Sequence, residues 1–280
     1  MSTATATVAS ALAGAAAGGL DRLDAQLLLL HALGRAGAGR AWLLAHDDTP
    51  LDAAQAAAFD ALVQRRLDDE PVAYLLGEKE FHGLLLQVDT RVLVPRPDTE
   101  TLVDWALERL AGQPAARALD LGTGSGAIAL ALKHARPDLD MHAVDASADA
   151  LAVARANAER LGLAVDFRQA DWLAGAARGH RLIVSNPPYV AAADPHLPAL
   201  RHEPLSALAA GADGLDDIRR IVRDAPAHLA PDGWLLLEHG HDQAGAVRAL
   251  LAACGFADAQ SRTDLAGIER CSGARWPAMK

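Results

Sequence analysis

Two short stretches hold residues whose types and spacing could do chemistry. The first is Asn186-Pro187-Pro188-Tyr189, which follows the apolar run Leu182-Ile183-Val184 and Ser185. Asn186 offers a side-chain carbonyl as an acceptor, and Pro187 offers a backbone carbonyl with no N–H to compete. The two prolines fix these acceptors near each other at little entropic cost, and Tyr189 adds a flat face for a planar group. Two close acceptors beside a ring form a receptor for a planar –NH2 group. Such nitrogens, in amides and in the exocyclic amines of bases, are poor nucleophiles because the lone pair is delocalised. Hydrogen bonds from both N–H groups to Asn186 and the Pro187 carbonyl can draw the nitrogen out of conjugation and aim its lone pair along one line. An electrophilic methyl group on a sulfonium belongs on that line; hydride transfer has no use for such a corner.

The second stretch is Asp120-Leu121-Gly122-Thr123-Gly124-Ser125-Gly126. Its glycines let the backbone turn sharply and let a ligand approach without a Cβ in the way. The helix that begins near Ala127 aims its N-terminus at that ligand. Asp145 follows Gly126 by 19 residues, at the end of the next strand, where a carboxylate can accept from both ribose hydroxyls. An adenosine-containing cofactor is the inference. Gly122-x-Gly124-x-x-Ala127 also fits the dinucleotide fingerprint, so the glycine loop alone leaves NAD open. An NAD-dependent oxidoreductase would need a hydride-handling His, Tyr or Lys in the crevice and would leave Asn-Pro-Pro-Tyr unexplained.

The elements that must position these stretches alternate from about residue 116 onward. "RALDLG", "DMHAVD", "AVDFRQAD", "HRLIVSNPP" and "GWLLLEHG" read as strands. "GAIALALKHA", "SADALAVARANAERLG", "LDDIRRIVRDAPAHL" and "DQAGAVRALLAACG" read as helices. Ser147 suits the cap of the second helix and Gly162 its end. Such alternation predicts a mostly parallel sheet with helices on both faces, and ligands bind beyond the carboxyl ends of its strands. Both stretches lie at strand carboxyl ends and should share one crevice. Ahead of them, Leu20, Leu23, Leu27 and Leu30 recur at helical spacing and predict one helix face. Asp52 caps a second helix with a Phe59, Leu62, Val63 and Leu67 stripe, closed by Pro71. "GRAGAGR" separates the two. Gly83 and the run Leu84 to Val94 predict a hairpin or extended linker, and Thr99 or Asp98 can cap the helix that carries Leu102, Val103, Ala106, Leu107 and Leu110.

Composition narrows the function. The 280 residues carry a net charge of −10 and are 51% hydrophobic, which allows a sizeable core and lowers the case for nucleic acid as the main partner. Cys254 and Cys271 form no framework or metal spacing, as in a reducing cytosol. The Ala-rich start lacks the basic region of a signal peptide and reads as a weak helix start, and no run has the length of a membrane span. Glu238, His239 and His241 lack further ligands at suitable spacing, so they read as a solvated loop after a strand; no metal is expected.

"DLGTGSGAIALAL" together with "SNPPYV" resembles the class I S-adenosylmethionine-dependent methyltransferases that act on planar amino groups. "EPVAYLLGEKEFHGL", "VLVPRPDTE", "EPLSALAAGADGL", "DQAG" and "DLAGIER" resemble the release factor glutamine methyltransferase (HemK/PrmC) branch, and "DAQLLLLHALG" resembles its helical N-terminal domain. The resemblance implies an α/β, Rossmann-like fold with a seven-stranded mostly parallel sheet. The domains it implies are a helical substrate-recognition domain over residues 1–80, a β-hairpin linker over 81–97 and a methyltransferase domain over 98–280. It implies methylation of the glutamine side-chain amide in the Gly-Gly-Gln motif of peptide chain release factors, by a monomeric cytoplasmic enzyme without nucleic acid or membrane. Gly122, Thr123, Gly124, Ser125 and Gly126 would hold the methionine end of S-adenosylmethionine and Asp145 its ribose, with Asp171 and Trp172 flanking the adenine. Asn186 and Pro187 would hold the glutamine amide, Asn186 also touching the cofactor, with Pro188 and Tyr189 shaping the pocket. Arg96 and Glu100 would contact substrate or the domain boundary. No acid–base pair is assigned, since the methylated nitrogen is acidic enough to lose its proton to solvent. A large-subunit ribosomal protein is the rival substrate, and an adenine or guanine amine on nucleic acid a weaker one.

Overall fold

The computed structural model describes residues 6–278. The chain divides into two compact units, with the division after Gly77. The first unit is helical: α1 (Val8–Ala17), α2 (Arg22–Ala32), α3 (Arg40–Ala45), α4 (Ala53–Leu67) and α5 (Val72–Leu76). Thr7, Asp21 and Asp52 each accept backbone N–H groups at the start of α1, α2 and α4, which satisfies donors that the first helical turn cannot. Val8, Leu28, Leu29, Leu43, Phe59 and Val63 form the core of this unit. The leucine stripe expected on α2 is rotated. Leu23 is 44% exposed, while Ala25, Leu28 and Leu29 take the inner face. Four consecutive leucines, 27–30, offer more than one stripe, and the small Ala25 fits the inner face without crowding. Leu67 is likewise exposed, at the last turn of α4. Pro71 does not close that helix, which ends at Leu67; it opens α5. The helix start read at the N-terminus falls in part on residues 1–5, outside the described residues.

The second unit begins with an antiparallel hairpin, β1 (Glu78–Phe81) and β2 (Leu84–Gln87). Its two-residue turn, His82-Gly83, has positive φ at both positions, 49° and 78°, as the twist of a tight hairpin requires. The expected hairpin lay at Leu84–Val94. Its first arm in fact lies upstream, in Glu78-Lys79-Glu80-Phe81, where three charged residues mask the strand pattern.

Then follow α6 (Glu100–Leu110), β3 (Arg117–Leu121), α7 (Ala127–Ala135), β4 (Asp140–Asp145), α8 (Ala148–Leu161), β5 (Asp166–Gln169), β6 (His180–Ser185), α9 (Asp216–Asp224), β7 (Leu229–Glu238), α10 (Ala244–Ala253), β8 (Ala257–Thr263) and β9 (Glu269–Arg275). The sheet is the seven-stranded, Rossmann-like one expected, in the order β5-β4-β3-β6-β7-β9-β8. Strands β3 to β7 pair in parallel, and β9 joins β7 and β8 antiparallel. Alternate residues go to opposite faces. Ala118, Leu182, Val184 and Leu236 pack under α6 and α7, while Leu119, Leu121, Ile183, Leu235 and Leu237 pack with the α9 and α10 residues Ile218, Ile221, Val247 and Leu251. Burial on both faces is why these strands read as continuous apolar runs.

The strand order reverses beside β3, since β4 lies on one side of it and β6 on the other. In such sheets the crevice at the reversal is where ligands bind. Leu121 of β3 pairs with Ser185 of β6, and the Ser185 hydroxyl donates to the Leu121 carbonyl at 2.7 Å. Register alone therefore brings Gly122 and Asn186, the next residue of each strand, out side by side.

Candidate active site

The glycine loop leaves β3 and enters α7 with positive φ at Gly122, Gly124 and Gly126 (67°, 56° and 86°). Asp145, at the end of β4, accepts the Gly124 N–H at 2.8 Å with one oxygen and the Ser147 N–H at 2.9 Å with the other. Its carboxylate thus braces the loop and opens α8 while keeping further lone pairs for a ligand. Asp120 lies beneath the loop, fully buried, and accepts the Thr123 hydroxyl at 2.6 Å. Burial pushes its carboxyl up to about 7 against the opposing pull of that hydroxyl.

Trp172 follows β5 with φ +52°, a strained conformation for a bulky residue. Two contacts hold it there. Its indole Nε1 donates to Asp217 of α9 at 3.0 Å, and its six-membered ring lies where a Cβ on Gly122 would come within 3.1 Å. Gly122 is therefore glycine for two reasons, its φ and the ring above it. The neighbouring Asp171 is exposed and paired with Arg220 at 2.7 Å.

Gly122, Gly124, Asp145, Asp171, Trp172, Asn186 and Pro188 line one cavity of about 290 Å³, together with Arg91–Leu93, Pro204, Ser206, Ala207, Asp217 and Arg220. A glycine floor, a carboxylate at the end of the second parallel strand and an indole wall suit an adenosine-bearing group. Thr123, Ser125, Gly126, Pro187 and Tyr189 do not line it. Thr123 is turned to Asp120, and Gly126 packs against Leu130 and Ala154.

Asn186 to Tyr189 leave β6 with no regular structure, and Pro187 and Pro188 are buried. Asn186 Nδ2 donates to the Thr99 hydroxyl at 3.3 Å. The Tyr189 hydroxyl donates to Glu238 Oε1 at 3.2 Å; burial, and then the charge of Glu238, raise the phenol pKa, so it keeps its proton. The backbone beyond is held from both sides. Gln243 Nε2 donates to the Tyr189 carbonyl at 3.0 Å, and Val190 exchanges hydrogen bonds with Leu208 and Ala210 in the 203–215 loop.

Arg96 and Glu100 are not part of this cavity. Arg96 pairs with the buried Glu203, which also accepts the Val94 N–H at 3.1 Å; Glu100 accepts the His82 N–H at 3.1 Å. Glu238 and His239 are not a solvated loop either, since both are almost fully buried at the end of β7. His239 Nε2 meets Ser272 Oγ at 2.7 Å, and Ser272 meets Ser261 at 2.7 Å. Strand β9 covers them, and no local pattern marked "ERCSGAR" as a strand. Among the described residues no group of three His, Cys, Asp or Glu could hold a metal ion. The residues not foreseen are Thr99, Glu203, Asp217, Arg220, Glu238 and Gln243. Several sit in the stretches "PRPDTE", "EPLS" and "DQAG", which have no chemistry of their own until folded against the crevice.

A mostly parallel sheet with a glycine loop after its first strand, an acidic residue at the end of its second and the Asn-Pro-Pro-Tyr corner after its fourth fits a Rossmann-like methyltransferase domain. Residues 99–202 match the model of the methyltransferase small domain, and residues 4–77 that of the PrmC N-terminal domain. The release factor glutamine methyltransferase of Bordetella pertussis is 51% identical over 259 residues, 91% of this chain and 95% of that protein. That of Escherichia coli K12 is 45% identical over 259 residues, 91% and 92% of the two chains. The solved 16S rRNA N2 G1207 methyltransferase (RsmC) of Thermus thermophilus, in complex with AdoMet and guanosine, shares the fold with a TM-score of 0.55 and 19% identity, over 71% of this chain and 49% of that one. The chain belongs to the release factor glutamine methyltransferase family.

Proposed function

We propose that this protein methylates the side-chain amide nitrogen of the glutamine in the Gly-Gly-Gln motif of peptide chain release factors, with S-adenosylmethionine as donor. The observation that carries the reading is the Leu121–Ser185 register, which sets the glycine loop and Asn186 at one cavity, in a chain of this family. S-adenosylmethionine supplies an electrophilic methyl group on a sulfonium. Gly122 and Gly124 leave room for it, Asp145 accepts its ribose hydroxyls, and Trp172 gives the adenine a face, with Asp171 at its edge. Thr123, Ser125 and Gly126 act by holding the loop. Asn186 Oδ1 and the Pro187 carbonyl accept the two amide protons of the glutamine, orient its nitrogen and weaken its conjugation. Pro188 and Tyr189 close the wall. Arg96, tied to Glu203, and Glu100, tied to the hairpin, serve by holding the approach to the pocket.

In this reading residues 1–80 recognise the release factor, 81–97 link, and 98–280 carry out transfer, in a cytoplasmic monomer that needs no nucleic acid. The acidic net charge, −10, supports a protein substrate, and no helix among the described residues is long and apolar enough to cross a membrane.

The test is transfer of label from S-adenosylmethionine to an unmodified release factor, beside a Gln→Ala variant of its Gly-Gly-Gln loop, a large-subunit ribosomal protein and an adenine-containing duplex. Label on the release factor that vanishes in the Gln→Ala variant is expected. Label only on a control would overturn the substrate.

A further inference from the structure

Thr99 precedes α6 at the position where a threonine hydroxyl normally caps the helix, yet it makes no side-chain cap bond. It is buried, and its Oγ1 instead receives Asn186 Nδ2 at 3.3 Å. Glu238 stands beside it. Leu237 of β7 pairs with Ser185 of β6, so Glu238 and Asn186, the next residues, emerge on adjacent strands. Glu238 is fully buried. Its Oε1 accepts the Tyr189 hydroxyl at 3.2 Å, Oε2 has no hydrogen-bond partner, and the Thr99 hydroxyl favours the ionised form of the carboxyl.

A carboxylate only accepts, and a threonine hydroxyl has one proton. A buried carboxylate with an unsatisfied oxygen draws that proton. Thr99 Oγ1 is then left only as an acceptor, so Asn186 must turn its –NH2 end toward Thr99 and its carbonyl end toward the pocket. We propose that Glu238 is a positioning residue which, through Thr99, fixes which end of the Asn186 amide faces the substrate. The inference rests on the reading of Asn186 given above and adds the device that sets its orientation. With a donor in place of the carboxylate, the sense of the relay reverses. Thr99 then accepts from residue 238 and donates to Asn186, whose –NH2 would face the –NH2 of the glutamine.

The groups facing Glu238 fix when this happens. Tyr189 comes from the segment after β6, Asp98 and Thr99 from the segment before α6, and Arg270 and Cys271 from β9. Burial dominates, with Asp98 adding to it and Arg270 opposing it, and holds the carboxyl at about 7. Protonation reverses the relay, so transfer should rise with pH through about 7.

The chain has two asparagines, Asn157 and Asn186, so 15N-asparagine labelling gives two side-chain amide signals. Asn157, bonded to the Gln87 and Ser125 carbonyls, is the internal control. The Asn186 signal in wild type should move with a midpoint near pH 7. In Thr99→Val and Glu238→Gln it should be shifted and no longer titrate, with Asn157 unmoved. In methyl transfer, kcat should fall about 100-fold in both variants, as for a misoriented reacting group, while Kd for S-adenosylmethionine changes less than about threefold, and Thr99→Ser should restore most of kcat. An Asn186 signal indifferent to pH and to Thr99→Val would overturn the proposal, as would unchanged kcat in both variants. If wild type labels no release factor, the substrate reading fails and the amide signal still decides the relay. If Thr99→Val does not fold, the wild-type titration and Glu238→Gln decide it.

Discussion

Gly214 and Gly211 share one backbone conformation, φ +73°, but face different neighbours. A Cβ on Gly214 would stand 2.1 Å from the Tyr189 carbonyl oxygen and 2.8 Å from Gln243 Nε2. A Cβ on Gly211 would meet only the end of the Asp216 side chain, which can rotate away at the cost of an exposed pair with Arg219. Alanine at either site costs about 1–2 kcal/mol for left-handed backbone. At 214 the chain must also yield by about 0.9 Å to reach even 3.0 Å from the carbonyl. The bonds from Gln243 Nε2 to the Tyr189 carbonyl (3.0 Å) and the Asp213 carbonyl (3.1 Å) then break, at about 1 kcal/mol each. Gly214→Ala should therefore lose about 3–4 kcal/mol, against about 1–2 for Gly211→Ala. Because the displaced carbonyl belongs to the residue that follows Pro188, kcat should also fall about 100-fold in Gly214→Ala while Gly211→Ala stays near wild type. Urea unfolding followed by tryptophan fluorescence and methyl transfer at saturating S-adenosylmethionine measure the two. Equal losses of stability and rate in both variants would refute the claim that Gly214 is there to seat the Tyr189 backbone.

Asn186→Ala should lower transfer by about 10²–10³-fold and leave S-adenosylmethionine binding by calorimetry nearly unchanged; undiminished transfer would sink the account of the amide receptor. Asp145→Ala removes the acceptor of the Gly124 and Ser147 N–H groups as well as the ribose contact, and should raise the cofactor Kd at least about tenfold, one strong hydrogen bond's worth. An unaltered Kd would show that the ribose lies elsewhere. Asp120, pushed up to about 7 in the folded chain from 3.8, contributes stability that is present below its unfolded pKa and lost as pH rises through about 7. Asp120→Asn, which does not titrate, should gain on wild type between about pH 4 and about pH 7, with a slope of up to about 1.4 kcal/mol per pH unit. Parallel stability curves would contradict the burial argument. Deleting residues 1–77 should impair methylation of an intact release factor far more than cofactor binding; equal loss of both would count against a recognition role for the helical unit.

Strands β3, β4 and β6 are legible in the sequence because burial on both faces gives each adjacent apolar residues, Ala118-Leu119, Ala143-Val144 and Leu182-Ile183-Val184, and "DMHAVD" marks β4 to the residue. Both ends of α8 are equally plain, with Ser147 accepting the Ala150 N–H at its start and Gly162 in the left-handed region at its close. These are local matters, set by side-chain volume, capping and φ. The glycine loop and Asn-Pro-Pro-Tyr are legible for the same reason, since a missing Cβ and a locked φ act on their own residues. Strand β1 is masked by its charges, and the helix face of Leu23 is not legible because four adjacent leucines do not say which of them turns inward.

What the sequence by itself determined is therefore the set of chemical groups, the order of the elements and the strand ends at which the groups must appear. Only the tertiary structure decided that Thr99 serves Asn186 rather than its own helix, that Arg96 is tied to Glu203, and that Glu238 lies buried under β9 beside Tyr189. Each is a partnership between residues 40 or more positions apart along the chain. A hydroxyl, a guanidinium or a carboxylate can satisfy itself with many partners, and its type does not name one. The register of neighbouring strands and the exclusion of water select the partner, and both exist only once the sheet has formed.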